Sequence, residues 1–164
     1  MIAVVQRVSR ATVHASGRDG CLLGAIDGGF VVLLGISRGD SPHEVDWMVN
    51  RLARLRVFAD DAGKMNLDIR QVNGSILLVS QFTLLADLSR GHRPGFSAAE
   101  EPSIAVTRCE EVARALGARG IQVAQGSFGA DMRVTLENDG PVTIILDSRG
   151  KPDVSKANQP SSKG

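Results

Sequence analysis

The spacing of apolar positions changes several times along these 164 residues, and each change marks a predicted element. Residues 2–8, "IAVVQRV", loosely continued by "ATVHA", predict a strand. The segment "CLLGAI-DGG-FVVLLGI" predicts a hairpin, in which Asp27-Gly28 supplies residues that tolerate positive φ between two apolar runs. Near-continuous apolarity over 30–36 predicts a strand covered on both faces. From Ser41 the period becomes helical. Ser41 and Glu44 have capping-box spacing, and Pro42 takes the first helical position, where its missing N–H costs nothing. Val45, Met48, Val49, Leu52 and Leu55 then mark one face of a helix over 42–54.

Beyond it, "ARLRVFAD" predicts a short strand and "DDAGKMNLD" a loop. "SILLVSQFTLLAD" returns to strand character with an interruption near Ser80, and "LSRGHRPGFS" is a polar loop. A second helix is predicted over 103–116, with Val112, Ala113 and Leu116 on one side and a stop at Gly117 or Gly120. "IQVAQGSF", "MRVTLE" and "VTIILD" predict three more strands. The stretch 149–164 has almost no apolar content and predicts a flexible tail. Many strands with two main helices predict a single domain over 1–148, an α/β or α+β sandwich of β-sheets. The pattern lacks a regular βαβ alternation, which disfavours a doubly wound sheet.

Composition adds a packed, mostly aliphatic core: 43% of residues are apolar, with five Phe, one Trp and no Tyr. Net charge is +1, and the last fourteen residues hold three Lys and one Asp, so residues 1–150 carry −1. That balance excludes the broad basic footprint of a protein gripping long nucleic acid, DNA included, but permits local contact with an RNA end. No apolar run approaches the roughly 18 residues needed to cross a bilayer. The N-terminal apolar run is short and broken by Gln6 and Arg7, unlike a signal peptide. Cys21 and Cys109 fit neither a disulfide framework nor a metal site; both are expected to fill the core in a reducing, cytoplasmic setting.

Phosphate-binding glycine loops are absent, since "GISRGD" lacks both the spacing and the Lys-Ser/Thr pair. His14, His43 and His92 are scattered, so no metal is expected. Two stretches carry more. "SQFT", Ser80 to Thr83, places two hydroxyls and an amide in an apolar run, where an unsatisfied buried amide costs about 1–3 kcal/mol. Either the strand ends or bulges and satisfies its own backbone, or the ladder breaks and leaves amide donors facing a pocket. Thr83 as an attacking hydroxyl needs a base within about 3 Å, and no histidine neighbours it in sequence. "ENDGPVT" sets Gly140-Pro141 directly ahead of a β-branched run. It is either a hairpin corner or a stiffened segment with a task, because proline removes a ladder donor and a cis bond would hold two carbonyls in one orientation.

"SQFTLLAD" and "NDGPVT" together resemble the two signature segments of the D-aminoacyl-tRNA deacylase family. The likeness runs through "MIAVVQRVSRATV", "GKMNLDI", "HRPGFSAA" and "FGADMRVTLENDGPVT", about residues 1–148; "GHRPGF" and "VTIILDS" depart modestly from the usual family wording. The resemblance implies a homodimer with active sites at the subunit interface. Gly140-Pro141, cis in the family, would reach into a pocket formed by Ser80, Gln81, Phe82 and Thr83 of the partner subunit. Arg7 would brace that segment, and Phe128, Gly129 and Met132 would border the adenosine and aminoacyl pocket. The implied substrates are the acceptor ends of D-aminoacyl-tRNA and of glycyl-tRNA(Ala), cleaved at the ester without cofactor. L-residues would be excluded sterically by the cross-subunit carbonyls, which capture the α-amino group. Backbone amides would hold the oxyanion and the terminal ribose 2′-hydroxyl would help activate water, with a covalent Thr83 route as the alternative. A few of Arg90, Arg93, Arg149 and Lys151 would meet phosphates at the rim.

Overall fold

Strand β1 (Ile2–Ala15) is the spine of the fold, because both of its edges are paired along most of its length. The structure, a computed structural model, describes residues 1–17 and 20–150. On one edge of β1 lie β2 (Leu22–Ile26) and β3 (Gly29–Gly35); on the other lies the long strand β8 (Met132–Asp147). The remaining elements are α1 (Pro42–Arg54), β4 (Phe58–Ala59), β5 (Met65–Leu67), β6 (Ser75–Ser80), a 3-10 turn (Phe82–Leu85), α2 (Pro102–Gly117) and β7 (Gln122–Gln125). The sheet order is β2-β1-β3-β6-β7, with β8 also on β1, and β4 and β5 form a separate small pair.

The predicted hairpin at Asp27-Gly28 is not formed. β2 and β3 do not pair with each other; they follow one another along β1, with Ala11 opposite Ile26 and Val8 opposite Gly29 in one continuous antiparallel run. Asp27-Gly28 is a bend, not a reversal, because β3 gains a better edge elsewhere: it pairs in parallel with β6 from Gly29–Ser75 to Leu34–Ser80. Gly29 makes this possible. Its φ is +151°, and a Cβ there would lie 1.9 Å from the Ser75 carbonyl oxygen.

Strands β3, β6 and β7 are parallel, joined by crossovers that carry α1 and α2. Both helices pack on each other and into one core cluster, so they cover a single face, as an α+β layer and not a doubly wound sheet requires. The period-2 alternation of the strands splits the apolar residues between two cores. Val32, Leu34, Ile76 and Leu78 face the helices, whereas Val31, Leu77 and Val79 face an inner core closed by Val8, Val13 and Ile26 as the sheet curls. Gly24 allows that curl: a Cβ would come within 3.0 Å of the Gln125 carbonyl oxygen.

Helix α1 spans the predicted residues, with Ser41 as N-cap, the Glu44 capping box and Pro42 in place. Its buried face is Val45, Met48, Val49, Leu52 and Ala53. Helix α2 buries Ala105, Cys109, Val112, Ala113 and Leu116. Cys109 fills the core as expected; Cys21 does not. It is exposed, because it precedes β2 at an end of the sheet that no helix covers, next to Leu22, itself 56% exposed. The tail predicted over 149–164 lies outside the described residues from position 151 onward.

Candidate active site

The polar interruption at Ser80 coincides with the carboxyl end of β6. Ladder pairing stops at Ser80, and the next residues wind into the 3-10 turn, so "TLLAD" is not strand. Gln81 is tethered by its N–H, which donates to the Leu34 carbonyl at 2.8 Å. Gly35 leaves room for it, since a Cβ there would sit 3.0 Å from the Gln81 carbonyl oxygen. The Leu84 N–H closes the turn on the Gln81 carbonyl at 3.3 Å. The N–H groups of Phe82 and Thr83 find no acceptor among the described residues. Two neighbouring amide donors therefore stand uncommitted at the break.

Phe82 and Thr83 are exposed, Leu85 is buried, and none of residues 80–87 is basic. The Phe82 ring, 57% exposed, meets the Phe96 ring edge-on at 5.0 Å. The Thr83 hydroxyl is bonded to the Gln81 side-chain amide, and neither end of an amide is a useful base. His43 is engaged with Glu44 on α1, and no described histidine bonds to Thr83. Burial, aided by the Glu110 carboxylate, pushes the Cys109 thiol up to about 12, so it stays protonated near neutrality.

Ser80 and Phe128 share a cavity of about 320 Å³ with Leu78, Val106, Cys109, Glu110, Gln125 and Gly126. It opens at the carboxyl ends of β6 and β7. Phe128 lies in a turn closed by the Ala130 N–H on the Ser127 carbonyl at 3.2 Å, with Gly129 at φ +73°. Met132 secures the turn from β8: its Sδ accepts the Ser127 N–H at 3.3 Å, and Gly126 leaves space for that sulfur.

Gly140-Pro141 is no hairpin corner. "MRVTLE" and "VTIILD", predicted as two strands, are one strand that continues along β1 past the proline. Between Thr143, opposite Gln6, and Asn138, opposite Val8, β8 spends three more residues than β1, and these form a bulge. The Gly140-Pro141 peptide is cis, and Asp139, Gly140 and Pro141 are exposed. Arg7 holds the bulge from β1. Its Nε donates to the Asp139 carbonyl at 2.8 Å, and its Nη1 donates to the Val57 carbonyl. Asn138 clamps the other side, its Oδ1 accepting the Val142 N–H at 3.0 Å, while Val142 is buried in the helix-facing core.

One chain does not bring the two signature segments together. Asp139 borders a cavity of about 710 Å³ that includes Ser75, the first residue of β6, whereas the amide pair follows Ser80, its last. Five residues of strand, about 17 Å, separate those ends. Asn138, Gln125 and Glu110 were not legible as site residues. Their local patterns are an ordinary turn, a strand end and a helix surface, and only the fold turns them toward the bulge and the cavity.

Taken together, the fold defines an α+β protein with a cavity that opens where parallel strands end. The family model described as D-Tyr-tRNA(Tyr) deacylase matches residues 4–147. A D-aminoacyl-tRNA deacylase of Anaeromyxobacter dehalogenans (strain 2CP-C) is 52% identical over 149 residues, 91% of this chain and 98% of that protein. The solved structure of a c-Myc DNA Unwinding Element Binding Protein matches with a TM-score of 0.83 at 39% identity, over 90% of this chain and 99% of that one. A probable eukaryotic D-amino acid tRNA deacylase shares the fold with a TM-score of 0.75 at 14% identity, over 88% of this chain and 97% of that one. The chain belongs to the D-aminoacyl-tRNA deacylase family.

Proposed function

We propose that this protein hydrolyses the ester joining a D-amino acid to the terminal adenosine of tRNA, and removes glycine mischarged on tRNA(Ala), as a homodimer. The observation that carries the reading is the uncommitted amide pair of Phe82 and Thr83, in a turn that follows the cavity-lining Ser80 and has no basic partner. Ester hydrolysis needs a water, a polarised carbonyl and donors for the developing oxyanion. Well-placed amides supply the last of these, worth about 3–4 kcal/mol each. The substrate's own 2′-hydroxyl then helps activate the water, so the protein needs no histidine there.

Handedness follows from the bulge. The Gly140 and Pro141 carbonyls, supplied by the partner subunit, would receive the α-amino group and leave space beside the α-carbon for hydrogen alone. Glycine passes, and an L side chain collides. The distance between bulge and amide pair within one chain supports this two-subunit composition, as does Ile145, 69% exposed on the same strand as the bulge. The near-neutral charge argues against a duplex-DNA grip for this chain.

The test is hydrolysis of D- and L-tyrosyl-tRNA by the purified protein. Rapid release from the D-ester and almost none from the L-ester is expected; tRNA binding without turnover would leave only a non-catalytic end-binding module. Thr83→Ala separates the water route from the covalent one. A loss below about tenfold fits water attack, whereas abolished turnover together with a trapped wild-type acyl-enzyme would establish Thr83 as the nucleophile.

A further inference from the structure

Between Asp87 and Gly95 the chain leaves the body of the fold as a loop closed by two backbone bonds. The Asp87 N–H donates to the Gly95 carbonyl at 2.8 Å, and the Gly95 N–H donates back at 2.9 Å. Residues 88–95 are all exposed, and Arg90, His92 and Arg93 lie among them with no acidic residue between Asp87 and Glu100. Asp87 itself is occupied by the Ser89 N–H at 2.8 Å, which holds its carboxyl below the ordinary range.

Most other exposed arginines near the bulge and the sheet ends are committed. Arg10 pairs with Glu137 at 2.8 Å, Arg38 with Glu101 at 3.3 Å and Arg149 with Asp147 at 3.1 Å. Arg90 and Arg93 form no ion pair with a described residue. The loop is also fixed to the amide turn. Asp87 follows that turn by two residues, and Phe96, just past the loop, sets its ring against Phe82. Arg149 is thus engaged, and Lys151 lies outside the described residues.

We propose that the 88–94 loop is a phosphate clamp for the single-stranded 3′ end of the RNA, with Arg90 and Arg93 as its two contacts. The inference rests on the deacylase reading. A guanidinium suits the task because its planar fork takes two phosphate oxygens at once. Two contacts close to the ester also reconcile RNA binding with a chain of net charge +1.

The experiment compares wild type with an R90Q/R93Q variant on D-tyrosyl-tRNA and on D-tyrosyl-adenosine, which lacks the phosphates, across 50–300 mM salt (about sixfold in concentration). Each lost contact to a single strand should flatten the log–log salt slope by about 0.7, so the double variant is expected about 1.4 shallower on tRNA. The ratio of kcat/KM for tRNA to that for the nucleoside ester should fall about tenfold or more at low salt, while R90K/R93K keeps the slope. An unchanged slope overturns the clamp, and so does an equal loss on both substrates. Loss accompanied by dissociation of the dimer in sedimentation would assign the arginines to subunit contact instead. Wild type inactive on both esters would remove the deacylase reading. The same salt titration of uncharged-tRNA binding still decides on the loop in that case.

Discussion

The two halves of the sheet solve different problems. The parallel half, β3-β6-β7, lies under α1 and α2, and its two inner strands, β3 and β6, are buried on both faces or nearly so. Its cavity sits where β6 and β7 end, the usual place for a ligand in parallel sheets, because backbone donors run out of partners there. The antiparallel half, β1-β2-β8, lends Ala3, Val5 and Val142 to the helix-facing core but leaves alternate residues of β8 exposed. It exposes Ile145 and carries the bulge that Arg7 and Asn138 hold. One half shapes a pocket and the other presents a rigid projection. The difference is what the proposed two-subunit site would use, since projection and pocket lie at opposite ends of β6.

Gly29→Ala attacks the junction between the halves. Its Cβ would strike the Ser75 backbone, and a loss of more than about 3 kcal/mol is expected in urea unfolding. Near-wild-type stability would mean that the parallel pairing tolerates a shift the geometry does not allow. Next come two substitutions aimed at one half each. Phe82→Pro deletes one free amide donor and should lower kcat about a hundredfold or more. Gly140→Ala forces the bulge to move, because a Cβ would lie 2.5 Å from the Val142 nitrogen, and should cost about a hundredfold through misplacement. Circular dichroism should find both variants folded.

Mixing those two inactive variants sharpens the comparison further. If each site takes its pocket from one subunit and its bulge from the other, heterodimers contain one intact site. Refolding an equal mixture should then restore about a quarter of wild-type activity. Activity no greater than the sum of the separate variants would place the whole site within one chain.

The smallest effect concerns the helix layer alone. Glu44 accepts from the Ser41 hydroxyl at 2.7 Å and from the Ser41 N–H at 2.8 Å, which lowers its carboxyl from 4.5 to about 2 despite the opposing effect of burial. A lowered folded-state value means the stabilisation is present above pH 4.5 and is lost as the pH falls toward 2. Glu44→Gln should therefore be less stable than wild type at pH 7, by about 1 kcal/mol, with the gap narrowing below pH 4.5 and closing only as the pH falls through about 2. Turnover at pH 7 should change less than about twofold, since the cap lies outside the cavity and the bulge.

Elements that rest on local chemistry were legible without coordinates. Ser41, Pro42 and Glu44 announce α1 because a helix start is satisfied within a few residues, and the polar "SQFT" announces the end of β6 because a buried strand cannot carry those groups unpaired. The family likeness, too, lies in the sequence itself. Asp27-Gly28 misled because a turn signal states only that the chain can bend, whereas the pairing of β3 with β6, forty-odd residues away, decided how far. Pro141 marked a broken ladder correctly, but that β8 resumes beyond it depended on β1 offering an unpaired edge on both sides of the break. The exposure of Cys21, the clamp by Asn138 and the shared wall of Ser80, Gln125 and Phe128 were settled by packing alone. Periodicity reports which face of an element is apolar; it does not report which distant backbone will meet it.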